Sequence, residues 1–191
     1  MEQFKWSKIE QELRDVLKPG RFRHTMGVTY TACALAMCYG TDMDQARAAG
    51  LLHDAAKYIP PKKKLQMCSE RNIPVSEAEM QNPELLHAKL GAVVAEEDYG
   101  VKDPEVLEAI RCHTTGKPDM SILDKILFIS DYIEPNRDKA PHLQEIRRLA
   151  FTDPDDCIRK ILEDTLSYLS TTSSVIDPMT QQTYDTYLKT V

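Results

Sequence analysis

From Phe22 to Tyr39 the chain is rich in small and apolar residues, shows no strand-like alternation and stops at Gly40. A stretch that is apolar all the way round, rather than along one stripe, reads as a buried helix. It carries His24 in its first turn. A buried helix needs other elements to cover it, and the flanking sequence predicts more helices.

Upstream, Ser7 and Glu10 form a capping-box pattern. Ile9, Leu13, Val16 and Leu17 recur at helical spacing, so a first helix is expected to about Lys18, stopped by Pro19-Gly20. Thr41 and Asp44 repeat the cap-like pattern before a helix that runs through Ala46, Ala49 and Leu52 into His53-Asp54. Pro60-Pro61 suits a fresh start, with Lys62, Lys63 and Lys64 read as a solvated face and Asn72 and Pro74 closing the element. Ser76 to Gln81 predicts a short helical turn. Asn82-Pro83 opens a helix that carries His87 and ends at Tyr99-Gly100, and Asp103-Pro104 caps another that ends at His113. Ser121 and Asp124 cap a helix that carries Asp131 and ends at Pro135. Further helices are expected near His142 to Phe151 and over Pro154 to Leu169. A hydroxyl-rich turn, Thr171 to Ser174, then leads through Asp177-Pro178 to a short last helix. The sequence contains no repeat, low-complexity tract or strong β signal, so the expected class is all-α.

A length of 191 residues suits one domain over 1–191, long enough to bury a substantial core. The net charge of -6 argues against sequence-independent nucleic-acid binding, which rests on Lys and Arg neutralising phosphates. It leaves room for a local basic pocket. The N-terminus lacks the apolar core of a signal peptide, and no apolar run is long enough to span a bilayer. The five cysteines include no Cys-x-x-Cys and are read as reduced thiols of a cytoplasmic protein.

Four of the five histidines have matching addresses. His24 opens an apolar helix, His53 closes one, His87 follows a cap and His113 closes another; Asp54 and Asp131 sit among them. Neutral imidazole and carboxylate both suit a borderline divalent ion, and burying so many ionisable groups without one would leave an expensive polar cavity. The ends of apolar helices are where a bundle places an internal site. Asp54 is adjacent to His53 and so placed to share its ion or bridge two. His142, after Pro141 in a polar connection, is expected at the surface.

The pieces Arg21-Phe22-Arg23-His24-Thr25, Leu52-His53-Asp54-Ala55-Ala56-Lys57, Leu86-His87-Ala88, Ala109 to Gly116 and Ser130 to Arg137 resemble the HD-domain metal phosphohydrolases. Within them the chain resembles the bacterial YqeK-type branch of symmetrical bis(5′-nucleosyl)-tetraphosphatases. The core motifs span about 21–137, with C-terminal helices over 142–191 packing on them. The Gly-Tyr-Pro signature of the cyclic-dinucleotide branch is absent.

The resemblance implies a helical HD bundle with a central metal held by His24, His53, Asp54 and Asp131, and His87 and His113 on a second ion or on phosphate. Iron follows from the family, whereas the donors alone fit iron, manganese or zinc. The implied reaction is attack of metal-activated water on diadenosine tetraphosphate, releasing two ADP. Asp54, Lys57, His87 and His113 are the expected catalytic residues. Arg21, Ala55, Ala56, Lys57, His87, His113, Thr114, Asp131, Arg137 and the segment Ile176-Asp177-Pro178 are expected at the substrate. The competing readings are hydrolysis of a deoxynucleotide or alarmone, a nucleotide-binding regulatory module without turnover, and a metal-free helical scaffold. A homodimer is expected from the frequency of two-fold assemblies alone.

Overall fold

The computed structural model describes residues 5–172 and 175–189, so positions 173–174 of the expected hydroxyl-rich turn lie outside the described residues. Among the described residues there are α-helices, one 3-10 turn and no strand. The helices are α1 (Trp6–Val16), α2 (Pro19–Tyr39), α3 (Met43–Leu52), α4 (Pro61–Glu70), α5 (Glu77–Gln81), α6 (His87–Glu97), α7 (Pro104–Cys112), α8 (Ile122–Ile133), α9 (Leu143–Leu149), α10 (Pro154–Ser170) and α11 (Pro178–Tyr187). The 3-10 turn, Pro83–Leu86, splits off the start of the helix expected from Asn82-Pro83.

Most boundaries follow the local chemistry. Ser76 with Glu79, and Ser121 with Asp124, make reciprocal capping boxes, while Asp103, Asp153 and Asp177 cap α7, α10 and α11 through their carboxylates. Gly40 ends α2 at φ 67°, a left-handed conformation that costs glycine nothing.

Several expectations are corrected. Pro19 opens α2 instead of merely stopping the first helix, because its fixed φ and missing N–H suit a first helical position; His24 therefore stands in the second turn. Ser7 lies inside α1, which starts at Trp6, and Glu10 instead pairs with Arg47 at 3.2 Å. Asp42 rather than Thr41 caps α3, since its Oδ1 accepts from the amides of both Asp44 and Gln45. Lys64 is not on a solvated face: it is fully buried where α4 meets the 3-10 turn, and its Nζ donates to Glu84 Oε2 at 2.9 Å. Lys62 and Lys63 are exposed. His142 is at the surface, with Nδ1 2.8 Å from Asp164 Oδ1.

Helix α2 packs along α3 and α8, and α7 sits among α3, α6 and α8; α10 lies on α8 and carries α9 and α11. Leu35, Leu51, Leu52, Ile110, Ile126 and Leu127 are completely buried at these contacts. The α2–α3 crossing is close enough to demand glycine: a Cβ on Gly50 would stand 2.8 Å from Thr29 Cα. Gly50→Ala is expected to cost about 1–3 kcal/mol through overpacking, read as a lower urea midpoint; an unchanged midpoint would show that the helices separate freely.

Candidate metal centre

Three histidines share one device. His53 and His113 stand just past α3 and α7, and His87 follows the 3-10 turn. Each Nδ1 faces the carbonyl oxygen three residues back: Gly50 at 2.7 Å, Ile110 at 2.7 Å and Glu84 at 2.6 Å. A carbonyl only accepts, so each Nδ1 carries the proton and each Nε2 presents a lone pair. Those lone pairs converge. The Nε2 atoms of His87 and His113 are 3.2 Å apart, and the fully buried Nε2 of His53 has no hydrogen-bond partner.

His24 is fixed differently. Its Nδ1 lies 3.2 Å from Glu134 Oε1, and its Nε2 lies 2.9 Å from Asp131 Oδ1. Glu134 is buried, and its Oε2 accepts from the backbone and side-chain nitrogens of Asn136 at 2.7 and 2.8 Å. A carboxylate behind an imidazole fixes its tautomer and raises its basicity as a ligand. Gly27 leaves the room: a Cβ there would fall 2.2 Å from Glu134 Oε2. Arg147 holds the same loop by donating to the carbonyls of Ile133, Glu134 and Arg137.

Asp54 faces both halves. Its Oδ2 is 3.4 Å from His53 Nε2 and 3.9 Å from His24 Nε2, while Oδ1 is 3.3 Å from His87 Nε2. Two sets have ligand atoms within 4.8 Å of one another, His24 with His53 and Asp131, and His53 with Asp54 and His113. Facing lone pairs, an orphaned buried nitrogen and two carboxylates fit a divalent cation, so His/Asp groups able to hold a metal are in place.

The electrostatics of His87 and His113 agree with bare Nε2 atoms. Burial, then the neighbouring His113 and Lys57, push the His87 imidazole down to about 3; burial, then His53, push His113 down to about 4. Burial alone would raise Asp54, but His53, His87 and Arg21 hold it well below the usual carboxylate range. Burial would lower His53, yet Asp54 beside it leaves it raised. Burial also depresses Lys57, with Arg21 and Lys64 adding to the shift against the pull of Asp54.

A cavity of about 690 Å³ opens over these groups, and Arg21, Lys57, Thr114 and Arg137 line it. Arg21 Nη1 donates to Asp54 Oδ2 at 2.8 Å, and Arg137 Nη2 to the Asp131 carbonyl at 2.9 Å. Lys57 Nζ lies 3.2 Å from His87 Nδ1. Arg23 and Lys139, at the cavity wall, were not anticipated; both are exposed basic residues without periodicity to mark them. Glu134 and Asn136 were also unassigned, although both belong to the Ser130–Arg137 motif. Ala55 and Ala56 do not line the cavity; their methyls are buried in the hydrophobic core, because the turn after α3 points Asp54 and Lys57 toward the cavity and the alanines into the core. Asp177 and Pro178 lie on an adjoining cleft of about 360 Å³ that shares Leu85 and Thr114 with the cavity; Ile176 lines neither.

Comparison with known proteins gives this arrangement its class. Residues 21–136 match the HD domain model, and the chain belongs to the HD-domain family. It is 36% identical over 173 residues to the symmetrical bis(5′-nucleosyl)-tetraphosphatase of Bacillus subtilis, covering 91% of this chain and 92% of that protein. A protein of the same description from Halalkalibacterium halodurans is 39% identical, over 95% of this chain and 96% of its own. The crystal structure of a predicted HD superfamily hydrolase involved in NAD metabolism, from Clostridium acetobutylicum, superposes with a TM-score of 0.94 at 33% identity, covering 98% of both chains.

Stability of the metal-free protein is expected to fall as pH drops from about 6.5. The unfolded imidazoles of His87 and His113 take up protons near their ordinary 6.5, while the folded ones resist to about 3 and about 4, so acid favours the unfolded chain. His53, shifted upward, offsets part of this. Urea midpoints of chelator-treated protein at pH 7.5 and 5 check it, and a higher midpoint at pH 5 contradicts it.

Proposed function

We propose that the chain is a metal-dependent hydrolase that cleaves diadenosine tetraphosphate symmetrically into two ADP. The observation that carries this reading is the convergence of four histidines and two aspartates under a basic cavity, in a chain whose relatives over nearly its whole length are symmetrical bis(5′-nucleosyl)-tetraphosphatases. Helices α9 to α11 continue the packing from α8, which supports one working unit over 1–191.

His24, His53, Asp54 and Asp131 would hold one ion, with His87 and His113 beside Asp54 for a second ion or a phosphate. A divalent metal supplies Lewis acidity there, lowering the pKa of water and drawing charge from phosphoryl oxygens. The nitrogen and oxygen donors suit iron, the family's metal, and also manganese or zinc.

The chain's own residues do the rest. Arg21 and Arg137 present guanidinium groups that match phosphate oxygens, Lys57 adds a charge beside His87, and Thr114 offers a hydroxyl at the junction with the adjoining cleft. His87 and His113 are neutral near pH 7, so their Nε2 lone pairs are free to hold a second ion or to accept a hydrogen bond from the attacking water. Asp177 and Pro178 on the adjoining cleft support contact of that segment with one nucleoside. None of the described helices is long and apolar enough to cross a membrane, and the free cysteines fit a reducing cytoplasm.

Metal-loaded protein given diadenosine tetraphosphate is expected to yield ADP alone; ATP with AMP, or an intact substrate, refutes the assignment. Asp54→Ala is expected to lose both bound metal and turnover. Glu134→Gln, one bond removed from the centre, is expected to weaken metal binding about 10–100-fold in chelator competition while folding normally.

A further inference from the structure

Symmetrical cleavage breaks the central P–O–P bridge of a substrate that carries a nucleoside at each end. Water adds to one inner phosphorus, which stays with its own ADP, and the other ADP departs in line with the attack, so the two nucleosides lie on different sides of the reacting centre. Both nucleosides therefore need a place. The cavity over the centre shares wall residues with two clefts. One, about 360 Å³, shares Leu85 and Thr114 with it and includes Asp177 and Pro178. The other, about 500 Å³, shares Arg21 and Lys57 and is walled by Val16, Tyr58, Pro60 and Pro61. Both volumes are in the range that receives small molecules.

We propose that the Tyr58 cleft is the second nucleoside subsite, where a purine base stacks on the Tyr58 ring while Arg21 and Lys57 hold the phosphates joining it to the reacting centre. This rests on the dinucleoside-polyphosphate reading above. Tyr58 is 50% exposed and Val16 44% exposed, an apolar panel left open to solvent where the core has no use for it. Two prolines make the wall stiff at no cost in side-chain entropy. Tyr58 follows Lys57 directly, so one turn delivers the cation to the phosphates and the ring to the base. Lys18, exposed at the same cleft, adds a further positive charge for an anionic occupant, and the one acid in the lining, Glu84, is paired with Lys64 at 2.9 Å.

Tyr58→Ala is expected to lower kcat/KM for diadenosine tetraphosphate on the order of tenfold, the effect of losing one base–aromatic stack, mainly through KM. The loss on adenosine 5′-tetraphosphate, which has one nucleoside and can use the Thr114 cleft, is expected to be several-fold smaller. Where that compound is a poor substrate, its Ki as a competitive inhibitor gives the same comparison. Tyr58→Phe should recover most of the loss, and Val16→Glu, in the lining of the same cleft, should produce the same split between substrates. An unchanged kcat/KM for diadenosine tetraphosphate, or equal losses on both compounds, overturns the subsite. If the wild-type protein leaves diadenosine tetraphosphate intact, the hydrolase reading itself fails and the subsite falls with it; wild-type turnover with an indifferent Tyr58→Ala sinks the subsite alone.

Discussion

The end of a helix leaves carbonyl oxygens without partners, and this chain gives histidine two of them together with the Glu84 carbonyl, which also takes the His87 amide. Gly50, Glu84 and Ile110 each accept from the imidazole Nδ1 three residues later. That single contact satisfies the backbone, fixes the ring's orientation and decides which nitrogen keeps its lone pair. The direction of each helix axis thus becomes the direction of a ligand. Without it, three neutral imidazoles at helix ends would be free to present either nitrogen, and the 3.2 Å approach of His87 to His113 would have no reason to place two lone pairs face to face.

Convergence also requires the helices to end at the same place, and small residues allow that. A Cβ on Gly91 of α6 would stand 3.0 Å from the His53 carbonyl, as one on Gly50 of α3 would press on the α2 backbone. Gly27 does the corresponding work on α2 by admitting Glu134 to the back of His24. The alanines and glycines that give α2 and α3 their apolar, featureless appearance are therefore what brings the polar groups within ligand distance. A side chain at the glycine positions would improve helix propensity and press the helices apart.

The helices were legible because caps and periodicity are local: Ser76, Asp103, Ser121 and Asp177 each cap where the sequence places a start. The histidines were legible because their addresses repeat. What escaped depends on neighbours distant in the chain. Lys64 reads as solvated until the 3-10 turn supplies Glu84 beside it. Glu134 reads as a loop acid until α2 brings His24 and Gly27 to it. Ala55 and Ala56 belong to the same motif as Asp54 and Lys57, but a motif does not say which of its side chains turns inward. Thr41 failed more simply: Asp42 stands next to it, and hydroxyl and carboxylate caps differ too little in strength for the pattern to rank them; Ser7 lies inside a helix that starts after Lys5 with no side-chain cap.

The cavity's charge reconciles an acidic chain with a polyanionic ligand. The net charge of -6 is spread over a surface on which charges farther apart than about 8 Å are screened at physiological salt. Inside the cavity the balance is set locally. Asp54 and Asp131 face the imidazole nitrogens and Glu134 backs His24, while Arg21, Arg23, Lys57, Arg137 and Lys139, with Asp138 among them, line the walls. Arg21 and Arg137 are held by the carboxyl group of Asp54 and the carbonyl of Asp131, which orients them at the centre before any phosphate arrives. A cation on the carboxylates would leave the wall's positive charge uncompensated, and a polyphosphate laid across the opening supplies the missing negative charge. Metal affinity and substrate affinity would then be linked through the same two aspartates, each strengthening the other.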